Sequence, residues 1–173
     1  MRGVGAGISA VFAAQGATVI TCARRPVDGS PYEFRACDIR DDEAVKALID
    51  GIVADHGRLD VVVNNAGGSP YVLAADASAK FSTKIVELNL LGALSVSQHA
   101  NAVMQAQDSG GSIINITSVS GRRPTPGTVA YGGGQGRYGK HDDHARRGMG
   151  AEGPGQLRRR RHGRDRAIRT LLR

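Results

Sequence analysis

Two polar clusters and one tyrosine carry the residue types that could do chemistry. Asn64-Asn65-Ala66-Gly67 follows the run Leu59-Asp60-Val61-Val62-Val63, and Asn115-Ile116-Thr117-Ser118 closes the run that begins at Ser112. Tyr131 stands 13 residues beyond Ser118. A phenol can take or give a proton. Its ordinary pKa is about 10, and a neighbouring ammonium draws it toward neutral pH, where acid–base transfer is efficient. A serine hydroxyl can donate a hydrogen bond to a carbonyl oxygen and orient it. Gly3-Val4-Gly5 stands ahead of a helical pattern. Glycines at such a turn let backbone N–H groups approach a phosphate at a helix N-terminus. Thr117 and Ser120 read as loop and turn hydroxyls.

The elements that must position these residues alternate between helix and strand. Gly7–Gly16 reads as a helix with Ile8, Val11 and Phe12 on one face and Gly16 as its stop. Ala17–Cys22 and Glu33–Cys37 read as short strands. Asp41–His56 is helical, with Val45, Leu48, Ile49, Ile52 and Val53 as its core stripe. Leu59–Val63 is a third strand, Phe81–Met104 a long helix with small residues on it, and Ser112–Ile116 a fourth strand. Strands separated by crossover helices predict an α/β fold with a parallel sheet covered on both faces. Ligands in such folds bind beyond the carboxyl ends of the strands, where both polar clusters lie.

With these motifs the sequence resembles the short-chain dehydrogenase/reductase family. That family has a TGxxxGxG loop, an NNAG motif, a serine about 13 residues before a catalytic tyrosine, and a YxxxK motif. The resemblance runs almost continuously over residues 1–131. It implies a Rossmann-like, doubly wound sheet and reversible hydride transfer between a nicotinamide dinucleotide and an alcohol or carbonyl compound. It implies Tyr131 as the acid/base, Ser118 as the orienting donor and Asn89 as the holder of a proton-relay water. It also implies that Gly3 and Gly5 are the last two glycines of the phosphate loop. Asp38 would contact the adenine ring with Ile39 beside it, and Asn65, Ala66 and Gly67 would line the ribose and nicotinamide side. NAD-preferring relatives place an acidic residue after the second family strand. Ala23-Arg24-Arg25 stands there instead, and two guanidinium groups suit a 2′-phosphate, which favours NADP over NAD. The relatives are small-molecule enzymes, many of them tetramers built on two long helices.

Two features depart from the family pattern. The chain starts inside the glycine loop, without the opening strand that is central in the family order 3-2-1-4-5-6-7. Tyr131 is followed by Gly132-Gly133-Gly134-Gln135, so a glutamine stands where YxxxK has its lysine. The strands expected after the tyrosine are also missing. The predicted fold is therefore an incomplete sheet on residues 1–131, followed by a basic segment, 132–173.

That segment differs sharply in composition. Residues 1–131 carry 11 Lys+Arg against 12 Asp+Glu, while 132–173 carry 12 against 4 together with 10 of the 24 glycines. Such a composition predicts disorder. Its codons also permit a shifted reading. Gly133-Gly134-Gln135-Gly136-Arg137 admits GGC GGC CAA GGC CGG, which one nucleotide later reads AAKAG and restores YxxxK. Gly153-Pro154-Gly155-Gln156 admits a shift to VRVN, which resembles the sixth family strand. An out-of-frame tail is thus expected. The cluster Leu157–His162 could hold phosphates nonspecifically. With Tyr138 its single aromatic, the segment is poorly supplied for base stacking, and no evolved nucleic-acid binding is expected. His141, His144 and His162 lack cysteine partners and metal-ligand spacing, so no metal site is expected. A non-catalytic remnant or interaction protein of the same fold is the alternative.

Cys22 and Cys37 are too few for a disulfide framework, and their apolar flanks predict buried free thiols. No run of 18 apolar residues and no basic-then-apolar leader occurs, so no membrane span is expected and a cytoplasmic protein is the default.

Overall fold

The computed structural model describes residues 3–26 and 28–136. The elements in chain order are α1 (Gly3–Ala14), β1 (Ile20–Ala23), β2 (Glu33–Ala36), α2 (Asp42–His56) and β3 (Val61–Asn64). They continue with α3 (Ala79–Val86), a π turn (Glu87–Leu91), α4 (Gly92–Ala106), β4 (Ser112–Asn115) and a 3-10 turn (Val119–Gly121). Residues 129–136 are helical as well. The described residues are helical up to Gly136, five residues past the boundary expected after Tyr131. The basic segment beyond Gly136, with Tyr138, His141, His144 and Leu157–His162, lies outside the described residues.

The chain divides into two compact units, and α1 belongs to the first. This helix starts four residues earlier than the sequence pattern indicates. Gly3, expected in a loop, is its first residue, with φ +66°, and Gly5 lies within it. Everything from Ile20 to the last described residue belongs to the second unit.

Among the described residues of the second unit, two parallel strand pairs form the sheets. β1 pairs with β2 in the register Ile20↔Glu33 to Ala23↔Ala36, and β3 pairs with β4 from Val61↔Ser112 to Asn64↔Asn115. β1 and β3 do not pair with each other. This is the strand order expected when the central position between them carries no strand.

Local sequence explains the helices. Asp41 caps α2 by accepting a hydrogen bond from the Ala44 N–H at 3.1 Å. Gly57 ends the helix in the left-handed region at φ +74°, returning its N–H to the Val53 carbonyl. Ser78 caps α3 through the Phe81 N–H. The expected helix Phe81–Met104 is continuous in direction but interrupted by the π turn at Glu87–Leu91.

The core lies between the sheets and helices α2 and α4. Cys37, Val45 and Val96 form one cluster with Ile39, Leu48 and Val62. Ile49, Ala100 and Met104 form another with Leu59, Val62 and Ile113. Val62 joins the two. On β4, Ile113 faces this core while Ile114 points the other way and is 40% exposed. Among the described residues of this unit the sheet is thus covered on one face, where the sequence pattern suggested two.

Gln107 fastens the strand starts. Its Oε1 accepts from the Leu59 N–H at 2.7 Å, and its Nε2 donates to the carbonyls of Leu59 and Gly110 at 3.0 and 2.8 Å. Cys37 is buried as expected, and that burial pushes its thiol up to about 11. Cys22 is exposed, a correction to the expected burial. It sits on β1, which has a single strand neighbour among the described residues.

Candidate active site

The carboxyl ends of β3 and β4 are locked together by side chains. Asn64 Nδ2 donates to Asn115 Oδ1 at 2.8 Å and to Ser97 Oγ at 2.9 Å, and Ser97 Oγ donates to the Ala93 carbonyl at 2.7 Å. Paired backbones set Asn64 opposite Asn115. The next residues on each strand therefore leave the sheet side by side. On the β3 side these are Asn65, Ala66 and Gly67, all exposed.

Asn89 holds the following residue. It is 3% exposed and lies in the π turn. Its Oδ1 accepts from the Gly68 N–H at 2.7 Å, and its Nδ2 donates to the carbonyls of Gly68 and Ile85, both at 2.9 Å. A Cβ on Gly67 would stand 2.6 Å from Asn89 Oδ1. Glycine is required at 67 by this approach. The side chain of Asn89 is thus committed to backbone groups, and its amide clamps the NNAG loop. The water-holding role implied by resemblance would have to fall on its main chain.

On the β4 side, Ser118 caps the 3-10 turn by accepting from the Ser120 N–H at 3.2 Å, so its hydroxyl proton remains to be donated elsewhere. The half-buried Tyr131 lies in the 129–136 helix, which is pressed against that same turn. A Cβ on Gly132 would meet the Ser120 carbonyl at 2.8 Å, and one on Gly136 would meet the Gly121 carbonyl at 2.9 Å. Gly134 faces the Cβ atoms of Asn89 and Leu90. Four segments, carrying Gly67, Asn89, Ser118 and Tyr131, therefore converge at the ends of β3 and β4.

Gln135, the residue at the lysine position, is 7% exposed, and its Oε1 has no hydrogen-bond partner.

A rim segment joins the site. The Val72 N–H donates to the Gly127 carbonyl at 2.8 Å, and the ring of Tyr71 lies over Gly127, whose φ of +72° and lack of a Cβ both depend on glycine.

The second pair of strands ends in charge. Arg24 and Arg25 follow β1, are exposed, and line an open depression with Ala23. The Cys37 N–H donates to the Ala23 carbonyl, so Arg24 and Asp38 emerge from adjacent strand ends. Asp38 binds Arg40, whose Nε donates to its Oδ1 at 2.9 Å. These bonds, with the Arg40 backbone N–H and the nearby charge of Arg24, hold the Asp38 carboxyl down at about 2. Ile39 is fixed by α4, where a Cβ on Gly92 would meet the Ile39 carbonyl at 2.8 Å. Gly3 and Gly5 belong to the first unit. Sequence reasoning missed Arg40, although a guanidinium two residues from an aspartate was a visible signal. It also missed Gln107 and Ser97, which bond through tertiary contacts that no local pattern announces.

Known proteins share this architecture. The structure of ligand-free aldohexose dehydrogenase from Thermoplasma acidophilum superposes with a TM-score of 0.77 and 29% identity, covering 84% of this chain and 57% of that one. L-fucose dehydrogenase of Bos taurus is 34% identical over 138 residues, which is 75% of this chain and 50% of that protein. The 3-oxoacyl-(acyl-carrier-protein) reductase FabG of Thermotoga maritima is 29% identical over 140 residues, 75% of this chain and 56% of that protein. The chain thus spans about half the length of the curated relatives it matches. No helix among the described residues is long and apolar enough to cross a membrane. The short chain dehydrogenase family model matches residues 1–136, and the chain belongs to that family.

Proposed function

We propose that this chain carries the site of an NAD(P)-dependent oxidoreductase, interconverting an alcohol and a carbonyl compound. The observation that carries the reading is the convergence of Ser118, Asn89 and Tyr131 beyond the ends of β3 and β4. Tyr131 Oη exchanges a proton with the substrate oxygen. Ser118 Oγ donates to that oxygen and fixes its position. Asn89 keeps Gly67 and Gly68 in place, so that the exposed backbone of Asn65, Ala66 and Gly67 can receive the ribose and nicotinamide side. The dinucleotide supplies or accepts the hydride when bound.

The residues present fit such a group. Among the described residues the depression is lined by Ala23, Arg24 and Arg25, and its two guanidinium groups support recognition of a 2′-phosphate and so NADP over NAD. Asp38 and Ile39, one strand over, fit the adenine. Taken by itself, the first unit's α1 begins at Gly3 and includes Gly5, and a helix N-terminus of this kind supports phosphate binding through its backbone N–H groups. The orphaned oxygen of Gln135 marks a buried polar position that lacks its partner. The substrate class is a small-molecule alcohol or ketone.

A binding protein that has lost turnover is the second reading, and Gln135 favours it. A neutral amide stands where the family motif has an ammonium.

The test is fluorescence titration of the purified chain with NADPH and NADH. Tighter binding of NADPH is expected, with the preference lost in an Arg24→Ala, Arg25→Ala double variant. Equal binding of both by the parent chain would remove the NADP assignment, and binding of neither would remove the oxidoreductase reading.

A further inference from the structure

We propose that Arg122 and Arg123 select the substrate, and that the alcohol or ketone this chain takes carries an anionic group, a carboxylate or a phosphate, which they bind. The proposal rests on the oxidoreductase reading above and deepens it, because nothing in that reading gives the substrate a charge.

The two arginines are built into the turn that carries Ser118. The Gly121 N–H donates to the Ser118 carbonyl at 3.0 Å, and the N–H groups of Arg122 and Arg123 both donate to the Val119 carbonyl, at 2.9 and 3.0 Å. Pro124 and Pro126 then restrict the backbone as it crosses toward the Tyr131 helix. Thr125 ends that crossing. Its carbonyl accepts from the Thr128 N–H at 3.1 Å, and a Cβ on Gly132 would meet its Oγ1 at 2.7 Å. The segment 122–128 thus joins the serine to the tyrosine, and the Tyr71 segment is bonded to it at Gly127. A substrate oxygen held between Ser118 and Tyr131 has this segment as its neighbour.

Charge is unbalanced there. Arg122 and Arg123 are exposed, and among the described residues neither forms an ion pair. Arg35, Arg40 and Arg58 each bind a carboxylate. The unpaired arginines among the described residues therefore stand in two adjacent couples, Arg24 with Arg25 at the end of β1 and Arg122 with Arg123 beside Ser118. Residues 61–75 and 109–136, which carry the NNAG loop, Ser118 and Tyr131, contain no aspartate or glutamate. Glu87, two residues from Asn89, lies within electrostatic reach of Arg40. Two like charges side by side without a counter-charge raise the local positive potential and draw an anion toward it.

Chemistry then selects the substrate group. A guanidinium presents its N–H donors as a planar fork that matches the paired oxygens of a carboxylate or a phosphate. A neutral ketone offers one acceptor oxygen, and that oxygen is engaged by Ser118 and Tyr131. The anion is therefore a second group on the substrate, separate from the reacting carbon. The 2′-phosphate of the dinucleotide has its own couple of arginines on the other pair of strands.

The experiment titrates the NADPH-saturated chain with two matched pairs of ketones, reading cofactor fluorescence. The first pair is 4-oxopentanoate and 2,5-hexanedione, which differ by carboxylate against acetyl. The second is hydroxyacetone phosphate and hydroxyacetone. The parent chain should bind the anionic member of at least one pair about tenfold more tightly, the worth of one hydrogen bond to a charged group. The pair that shows the preference tells carboxylate from phosphate. In an Arg122→Gln, Arg123→Gln double variant, which keeps side-chain length and removes the charge, the preference should disappear. Equal binding of anionic and neutral members by the parent chain, or no binding of any of the four, would overturn the proposal alone. A preference that survives in the double variant would also overturn it, by placing the anion elsewhere. Weakened NADPH binding and a lowered melting temperature in the double variant would overturn it in favour of a structural role. Failure of the parent chain to bind NADPH at all would sink the oxidoreductase reading, and the proposal with it.

Discussion

The side-chain amide of Asn89 closes both backbone polar groups of Gly68, accepting from its N–H at 2.7 Å and donating to its carbonyl at 2.9 Å. This pair couples a helix interior to the loop after β3, and the coupling passes directly over Gly67. Asn89→Ala should destabilise the second unit by about 1–3 kcal/mol, because it leaves Gly68 unpaired. Gly67→Ala should cost a similar amount by pushing Asn89 away. The two changes should not add, since each breaks the same contact. Urea melts of the two single variants and the double variant check this, and full additivity would contradict it.

The parent chain should show little or no NAD(P)H turnover, because no ammonium stands one helical turn from Tyr131. Gln135→Lys should raise the rate by a factor of about 100 to 1,000, the usual worth of one preorganised charge at a reacting oxygen. Steady-state assays with NADPH and a panel of simple ketones provide the measurement. Robust turnover by the parent chain would refute the premise.

In the Gln135→Lys background, Tyr131→Phe should abolish turnover while leaving NADPH affinity within about twofold, since one distant hydroxyl contributes little to binding. The ring still packs, and the transferable proton is gone. Activity surviving in the phenylalanine variant would show that another group handles the proton.

Asp38 gives a pH dependence with a defined sign. Its carboxyl lies below its ordinary 3.8, at about 2, first through the side-chain bond to Arg40. A depressed carboxyl contributes stability in full above its unfolded value. That contribution fades as pH falls from about 4 through about 2. Arg40→Ala should return the carboxyl toward its ordinary range and flatten the stability profile in that window. Carboxyl carbon NMR titration of Asp38 reads the shift directly.

The strands and the two core helices were legible because their apolar periodicity is strong. Val45, Ile49 and Ile52 recur on one helix face and are the buried residues of α2. The position of Ser118 and Tyr131 beyond the strand ends was legible because their spacing and the strands before them are characteristic; their chemical roles are proposals. The π turn was not. Glu87–Leu91 contains ordinary helix formers, and the extra residue in the turn answers to Asn89's contacts with Gly68, which are tertiary. Cys22 was misjudged because apolar flanks report the strand and not the neighbour a strand lacks. Glycines 132, 134 and 136 were read as signs of disorder. In the fold, Gly132 and Gly136 are the residues whose missing side chains let a helix touch the turn after Ser118. A helix propensity scale penalises glycine by about 1 kcal/mol per residue and cannot register such a contact.

The arrangement of strands in two separate pairs also governs how molecules of this chain meet one another. β1 and β3 each hydrogen-bond to one strand neighbour among the described residues, and both are rich in β-branched residues. A free row of N–H and carbonyl groups on such a strand is a template for another chain. The sequences Ile20-Thr21-Cys22 and Val61-Val62-Val63 carry no charge to discourage it. Pairing of chains at such an edge would grow with protein concentration and would bear on any ligand titration independently of the chemistry at Tyr131.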